Sequence, residues 1–302
     1  MNIVQQDPES RDKMTSAFFR GPEAGGSLTP DAIAVAAEEM GVKKASYDTL
    51  TLLGLAVLAG AFIGLGAMFA TTTGAGADGM LPYGLTRLLA GLSFSLGLIL
   101  VLVGGAQLFT GDMLMVMAWA SRRIATRRMV KVWVLVWLGN LVGAVVIAGL
   151  VFFSGQYTFG NNAIGVTALH YAEAKAALPV VNAFALGILC NVLVCLAVWL
   201  ALAGRTVADR ILAIVFPVTA FVAAGFEHCV ANMYYLSLGL MIRYGAPETF
   251  WTAIGHPPGE IPLSGVFTNL AVVTAGNWVG GALLVGGVYW FIYRRPGKPG
   301  HH

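Results

Sequence analysis

The chain has 302 residues, of which 57% are hydrophobic and 11% charged, and its formal net charge is only +3. That balance excludes an ordinary soluble globular domain and gives no reason to expect a nucleic-acid partner. Three cysteines without metal-ligand spacing, and no paired carboxylates, nucleophile motif or phosphate-binding loop, speak against a metal, a cofactor or an enzyme.

Residues 1–28 are polar and glycine-containing, and read as a disordered cytoplasmic tail without a cleavable leader. An amphipathic helix over 29–45 follows: Thr29 suits its cap, Pro30 its first turn and Gly41 its end, with Ile33, Ala36, Ala37 and Met40 on one face. It lies against the inner membrane surface or covers a pore mouth as a flap. Residues 46–295 then form one membrane domain, before a short tail, 296–302.

Within that domain, apolar runs near 49–73, 84–120, 129–153, 178–203, 208–243 and 266–293 predict six transmembrane helices. The second and fifth are too long for one straight helix, and each is broken by glycine and polar residues. They are therefore expected to be half-helices joined inside the membrane. Fifteen of the 18 lysines and arginines fall on one side of this arrangement, leaving Arg87, Lys175 and Arg243 on the other. Both termini are expected to be cytoplasmic. Cys190, Cys195 and Cys229 fall inside spans, as small packing residues. Gly54, Gly60, Gly64 and Gly66 are expected to serve close helix packing.

The two interruptions are versions of one sequence. Gly104–Met113 reads GGAQLFTGDM and Ala224–Met233 reads AGFEHCVANM, so that Gln107 answers to Glu227 and Asp112 to Asn232. A second echo follows in the helices behind them, Gly139-Asn140 with Gly143 against Gly276-Asn277 with Gly280. Three spans per half make this an inverted 3+3 repeat, and paired interruptions in such halves point to a transport site.

His228, beside Glu227 in a broken span, is an ionisable group where such groups are costly, and this marks it for the pore. Thr110 offers a hydroxyl without charge. Glu227 is expected to brace the irregular backbone, since it would repel an anion, while Asn140 and Asn277 either serve the pore or pin helices. Lys175 is either an interfacial lysine or an anion-attracting vestibule charge, with Lys44 its counterpart inside.

The segments Gly105-Ala106-Gln107-Leu108-Phe109-Thr110, Gly225-Phe226-Glu227-His228 with Asn232-Met233, and Thr268-Asn269-Leu270 through Gly276-Asn277 resemble signatures of the formate/nitrite transporter family, nearest its formate channels. The likeness covers about residues 29–295. It implies an aquaporin-like protomer with its own pore, in a homopentamer of the bacterial inner membrane. It implies that Phe94 and Phe221 form an outer apolar constriction, and that Leu98, Leu108, Phe109 and Val194 form or approach an inner one. His228 and Thr110 would meet the solute between them, near Asn277 and Asn191, and Lys175 and Lys44 match vestibule lysines. Gln107, the bracing position of the first loop, replaces the family's usual acid, and Asp112 stands where many relatives have Asn, so loop anchoring and gating are expected to differ from the family pattern.

The expected mechanism gathers a small anion such as formate at the lysines and binds it at His228 and Thr110. Protonation, by His228 or by water relayed through it, lets the neutral acid pass the apolar ring, because a stripped anion there costs several kcal/mol. A nitrite or hydrosulfide channel of the same family is the first rival. A membrane-embedded sensor with a closed pore is the second.

Overall fold

The structure, a computed structural model, describes residues 26–77, 79–255 and 259–296. The expected tails, 1–28 and 296–302, therefore lie outside the described residues except for 26–28 and 296. Every regular element among the described residues is helical.

Helix α1 (Pro30–Ser46) precedes α2 (Thr49–Gly74), whose N-terminus is capped by the Asp48 carboxylate accepting from Leu50 N–H and Thr51 N–H. Next come α3 (Tyr83–Gly104), a turn of 3₁₀ helix (Gly111–Leu114) running into α4 (Met115–Ala120), and α5 (Thr126–Phe153). The second half has α6 (Ala163–Ala176), α7 (Val180–Ala203), α8 (Val207–Ala223), α9 (Cys229–Gly245) and α10 (Glu248–Ile254). It ends with α11 (Leu263–Trp278), a π-helical stretch (Val279–Gly287) and α12 (Val288–Tyr293).

Five of these are long and apolar enough to cross a membrane: α2, α3, α5, α7 and the continuous Leu263–Tyr293. The sixth expected crossing is divided between α8 and α9, of 17 residues each. Both breaks fall where the sequence placed them, but the first is not a pair of half-helices. Helix α3 has 22 residues, about 33 Å at the usual rise, and α4 is a short return. Helix α6, between the third and fourth crossings, was not anticipated. Its 14 residues put Lys175 in a last helical turn, packed against α9, rather than on a connecting loop.

The crossings pack as α2 on α3 and α5, α7 on α8 and α11, α3 on α8, and α9 on α5 and α6. Glycine lets backbones touch. A Cβ on Gly60 would lie 2.0 Å from the Asn140 carbonyl oxygen, and one on Gly143 would lie 2.0 Å from that of Val57. The second half repeats this, with a Cβ on Gly280 at 2.2 Å from the Ile188 carbonyl oxygen. Gly64 and Gly66 also face close neighbours, whereas Gly54 opens onto empty space. In the π-helical stretch, Cβ atoms on Gly281 and Gly286 would strike Asn191 and Val116, so the widened turn lays backbone against α7 and the first broken segment.

Outward faces are apolar too. On α5, Val130, Val134, Leu138, Val142, Val146 and Leu150 recur every fourth residue and are all exposed, the stripe that a helix shows to lipid or to a neighbouring chain.

Helix α1 packs on α4 through Ile33, Ala34, Ala37, Glu38, Gly41 and Ala45. Gly41 does not end the helix as expected. It lies inside it, where a Cβ would meet Ala118 Cβ at 3.1 Å and Met115 Cα at 3.3 Å. Thr29 occupies the cap position without a side-chain bond. Glu38 is fully buried, accepting from Ser121 Oγ and pairing with Arg294 at 3.0 Å.

Gly60→Ala and Gly143→Ala should each force α2 and α5 apart, at about 1–3 kcal/mol or more, because the clash is with backbone. Gly54→Ala should be neutral or slightly stabilising. Thermal midpoints and size-exclusion profiles in detergent check this: equal behaviour of the three variants would contradict the packing.

Candidate functional site

The two breaks are built alike. After α3, Gly105 takes φ +85° and the chain turns through Ala106–Thr110; after α8, Gly225 takes φ +76° and the chain turns through Phe226–His228. Neither turn can satisfy its own backbone polar groups, which in an apolar interior is costly. Two asparagines solve this in the same way. Asn140 accepts from Phe109 N–H at 2.9 Å and donates to the Gln107 and Ala56 carbonyls at 2.9 and 2.7 Å. Asn277 accepts from Cys229 N–H at 2.9 Å and donates to the Glu227 and Gly187 carbonyls at 2.9 and 2.7 Å. Gln107 N–H also donates to the Leu55 carbonyl, and Glu227 N–H to that of Leu186, so each turn is sewn to the first membrane-crossing helix of its own half, α2 or α7.

Asn277 was placed among the solute contacts. Its amide is fully used by these three bonds, and it serves the turn. Asn191 donates to the Thr110 carbonyl at 3.2 Å and to the Asn277 carbonyl at 2.6 Å, while its Oδ1 is buried with no partner among the described residues. Both are completely buried.

What the brackets hold in place is a contact between the halves. Thr110 Oγ1 and His228 Nε2 lie 3.0 Å apart, both buried. His228 is also the N-cap of α9, its Nδ1 accepting from Ala231 N–H at 3.1 Å. An Nδ1 that accepts carries no hydrogen, so the ring's proton sits on Nε2 and points at Thr110. The positive end of the α9 dipole lies at the same place, which favours an anion.

Phe221 stacks on the imidazole, with ring centroids 6.0 Å apart and planes at 20°, and Phe94 meets Phe221 edge-on at 5.7 Å. Leu98, Leu108, Phe109 and Val194 are buried in the same apolar core. A cavity of about 330 Å³ reaches His228 past these rings, lined also by Arg87, Lys175, Glu227, Tyr83 and Tyr235.

The lysines are not bare vestibule charges. Lys175 Nζ is 2.7 Å from Glu227 Oε1, and Lys44 Nζ is 2.6 Å from Asp112 Oδ1, with both acids buried. In the second half, Asn232 Nδ2 donates to Glu227 Oε2 at 2.6 Å, and Asn269 links Asn232 to the Lys175 carbonyl. In the first half, the Gln107 amide, turned so that its nitrogen rather than its oxygen faces the acid, donates to Asp112 Oδ1 and Oδ2 at 2.9 and 3.0 Å, the orientation that satisfies both side chains. Each half thus holds a lysine, an acid and an amide in one cluster. The acid stands at the first position of the pair in Glu227/Asn232 and at the second in Gln107/Asp112. The two departures noted in the sequence are a single exchange that leaves the charge count unchanged.

Asn269 and Asn232 were in quoted motifs but received no role, and Arg87 was counted only as a basic residue. A sparse basic side was the one signal that could have singled Arg87 out.

The formate/nitrite transporter family profile matches residues 31–291. The formate channel FocA of Escherichia coli strain K12 is 43% identical over 279 residues, which is 91% of this chain and 97% of the relative. FocA of Haemophilus influenzae is 40% identical over 264 residues, 86% and 93% of the two chains. A solved pentameric formate channel with formate bound superposes with a TM-score of 0.77 at 39% identity, covering 82% of this chain and 98% of that one.

The exchanged clusters make a stability prediction. Asp112→Asn leaves Lys44 buried without its acid and should cost about 3–5 kcal/mol. Gln107→Glu crowds two carboxylates and should also lower the thermal midpoint. The double variant restores one acid and one amide and should recover most of the loss. A double variant no more stable than Asp112→Asn would show that the positions are not interchangeable.

Proposed function

The chain belongs to the formate/nitrite transporter family, and we propose that it is a homopentameric formate channel of the bacterial inner membrane, one pore per protomer, with both termini cytoplasmic. The observation that carries the mechanism is the His228–Thr110 contact directly beneath the Phe94–Phe221 pair. Similarity to formate channels over nearly the whole chain supports the substrate.

Formate at neutral pH is an anion, by the same carboxylate chemistry as Asp. The Thr110 hydroxyl, which accepts from the His228 Nε2–H, turns its own hydrogen toward a formate oxygen, and Nε2–H becomes a second donor when it is shared between Thr110 and the solute. The apolar rings exclude the stripped anion but admit the neutral acid. For His228 to supply that proton, the ring must first take a second one at Nδ1 and release Ala231 N–H. Proton delivery is thereby tied to loosening the first turn of α9; otherwise cavity water delivers it. Leu98, Leu108, Phe109 and Val194 form the second apolar barrier toward the cytoplasm, where α1 covers the inner mouth, fastened by Lys44 and Glu38. No covalent step is needed.

Purified protein in liposomes, tested with formate, nitrite and hydrosulfide across pH, decides the substrate. Formate should pass best and compete out the others. A preference for nitrite would transfer the reading to the neighbouring branch, and no flux at all would remove the channel reading.

His228→Phe should abolish pH-dependent formate uptake while the native oligomer still forms, with the lost cap costing about 1 kcal/mol. Wild-type uptake and pH response in the folded variant would take the imidazole out of the mechanism. Truncating Phe94, Leu98 or Phe221 to Ala should wet the barrier, admit acetate and lactate, and weaken pH dependence. A properly assembled Leu98→Ala protein that stays formate-selective would move the filter to His228 and Thr110.

A further inference from the structure

With Lys175 neutralised by Glu227 and His228 uncharged as bonded, the formal charge left uncompensated in the cavity, among the described residues, is that of Arg87. We infer that Arg87 is the anion-docking residue of the outer vestibule, a site for a small monovalent carboxylate ahead of the Phe94–Phe221 pair. The inference rests on the channel reading above and adds the residue that captures its substrate.

Arg87 lies one turn into α3 and is half-buried on the cavity wall. Its Nε donates to the Ala223 carbonyl at 3.5 Å and its Nη2 to the Val222 carbonyl. Those carbonyls end α8, where helical partners run out and where a cation is favoured by the helix dipole. The guanidinium is thus fixed in place by backbone, not by an acid, and no carboxylate pairs with it among the described residues. A guanidinium has five N–H donors in a rigid fork. Two bonds to carbonyls leave the remaining donors, and the whole positive charge, for an anion, and a carboxylate is the group that such a fork takes two-handed.

The site belongs to one half only. The shift of 120 residues that relates the two broken loops puts Val207 where Arg87 stands, and Val207 is exposed at the start of α8. The mouth at the Lys44 end therefore has no equivalent cation at that position. Position along the path also matters. Arg87, Phe94, Phe221 and His228 line one cavity, with Arg87 two turns before Phe94 on α3, so an anion held at Arg87 is one step from the polar site.

Docking by charge raises the local anion concentration, and so acts on flux when formate is scarce and not when the pore is saturated. It must also fade as the Debye length shrinks with salt. A residue that merely caps α8 would do neither.

The test uses the full-length protein in proteoliposomes, with formate uptake measured far below and far above half-saturation, from about 10 mM to 1 M inert salt. Arg87→Gln should lower the low-concentration rate about three- to tenfold, leave the saturating rate within about twofold, and flatten the salt response. Arg87→Lys keeps the charge and should recover most of the low-concentration rate together with its salt dependence. Size-exclusion must show the native oligomer for each variant. A wild-type low-concentration rate and salt response in Arg87→Gln overturns the inference. So does an Arg87→Lys protein as impaired as Arg87→Gln, because the role would then be the cap. Should Arg87→Gln fail to assemble, wild-type protein and Arg87→Lys decide, and a wild-type rate indifferent to salt counts against the site. Absence of formate flux in the wild type would instead overturn the channel reading itself.

Discussion

Backbone that leaves the helix inside a membrane domain carries N–H and C=O groups that lipid cannot satisfy. Here the constraint is met by Asn140 and Asn277, each holding two carbonyls and one amide hydrogen across a turn of three residues. Everything at the centre depends on them. Thr110 follows directly on the turn that Asn140 brackets, and His228 lies within the turn that Asn277 brackets, so their 3.0 Å contact rests on these brackets together with the bonds from Asn191 to the Thr110 carbonyl and from Ala231 N–H to His228 Nδ1. Asparagine suits the task because one short side chain presents both a donor pair and an acceptor. Glycine at Gly139 and Gly276, one residue earlier, lets the supporting helix approach closely enough for that side chain to reach.

The same economy governs charge. Each half buries one lysine with one acid, and a neighbouring amide gives that acid a further donor. An ion pair in an apolar interior is tolerated only when its remaining hydrogen-bond positions are filled. That requirement is about inventory and reach, and it explains why the acid can occupy either of two positions five residues apart. Neutralising the lysines leaves them structural: Lys44 ties α1 to the first broken segment, and Lys175 ties α6 to the second.

Much of this was legible in the sequence, for identifiable reasons. The breaks stood out because glycine and polar residues interrupt runs that would otherwise be continuous helix, as in Gly104–Thr110 and Ala224–His228. The halves stood out because Gly139-Asn140 and Gly276-Asn277 recur behind them. Hydrophobic length does not register where a helix stops inside an apolar run, so the run that holds α3 and α4 reads as two half-helices joined inside the membrane. Helix α6 was missed because its run, Ala163–Ala176, is neither long nor uniformly apolar. The function of Gly41 was misread because a glycine that ends a helix and one that admits a neighbouring backbone look identical in one dimension. The pairing of the lysines is hidden for a related cause: Lys44 and Asp112 are 68 residues apart, and no local pattern announces their bond. The two roles open to Asn277 are not separable in one dimension, because the bonds of its amide reach Gly187, Glu227 and Cys229.

The central histidine shows how polar bonds and apolar packing share one side chain. Phe221 covers one face of the imidazole while the ring edge carries the bonds: Nδ1 to Ala231 and Nε2 to Thr110. A flat aromatic ring with two polar edge atoms can be packed on its face as a hydrophobe and still make directed hydrogen bonds from its edge. A lysine or arginine at this position would bring a fixed charge into the apolar core, and a serine would offer no face for Phe221. Imidazole is neutral while it caps α9 and charged only if that cap is released. The chemistry of the site and the integrity of the helix beside it are therefore governed by a single proton.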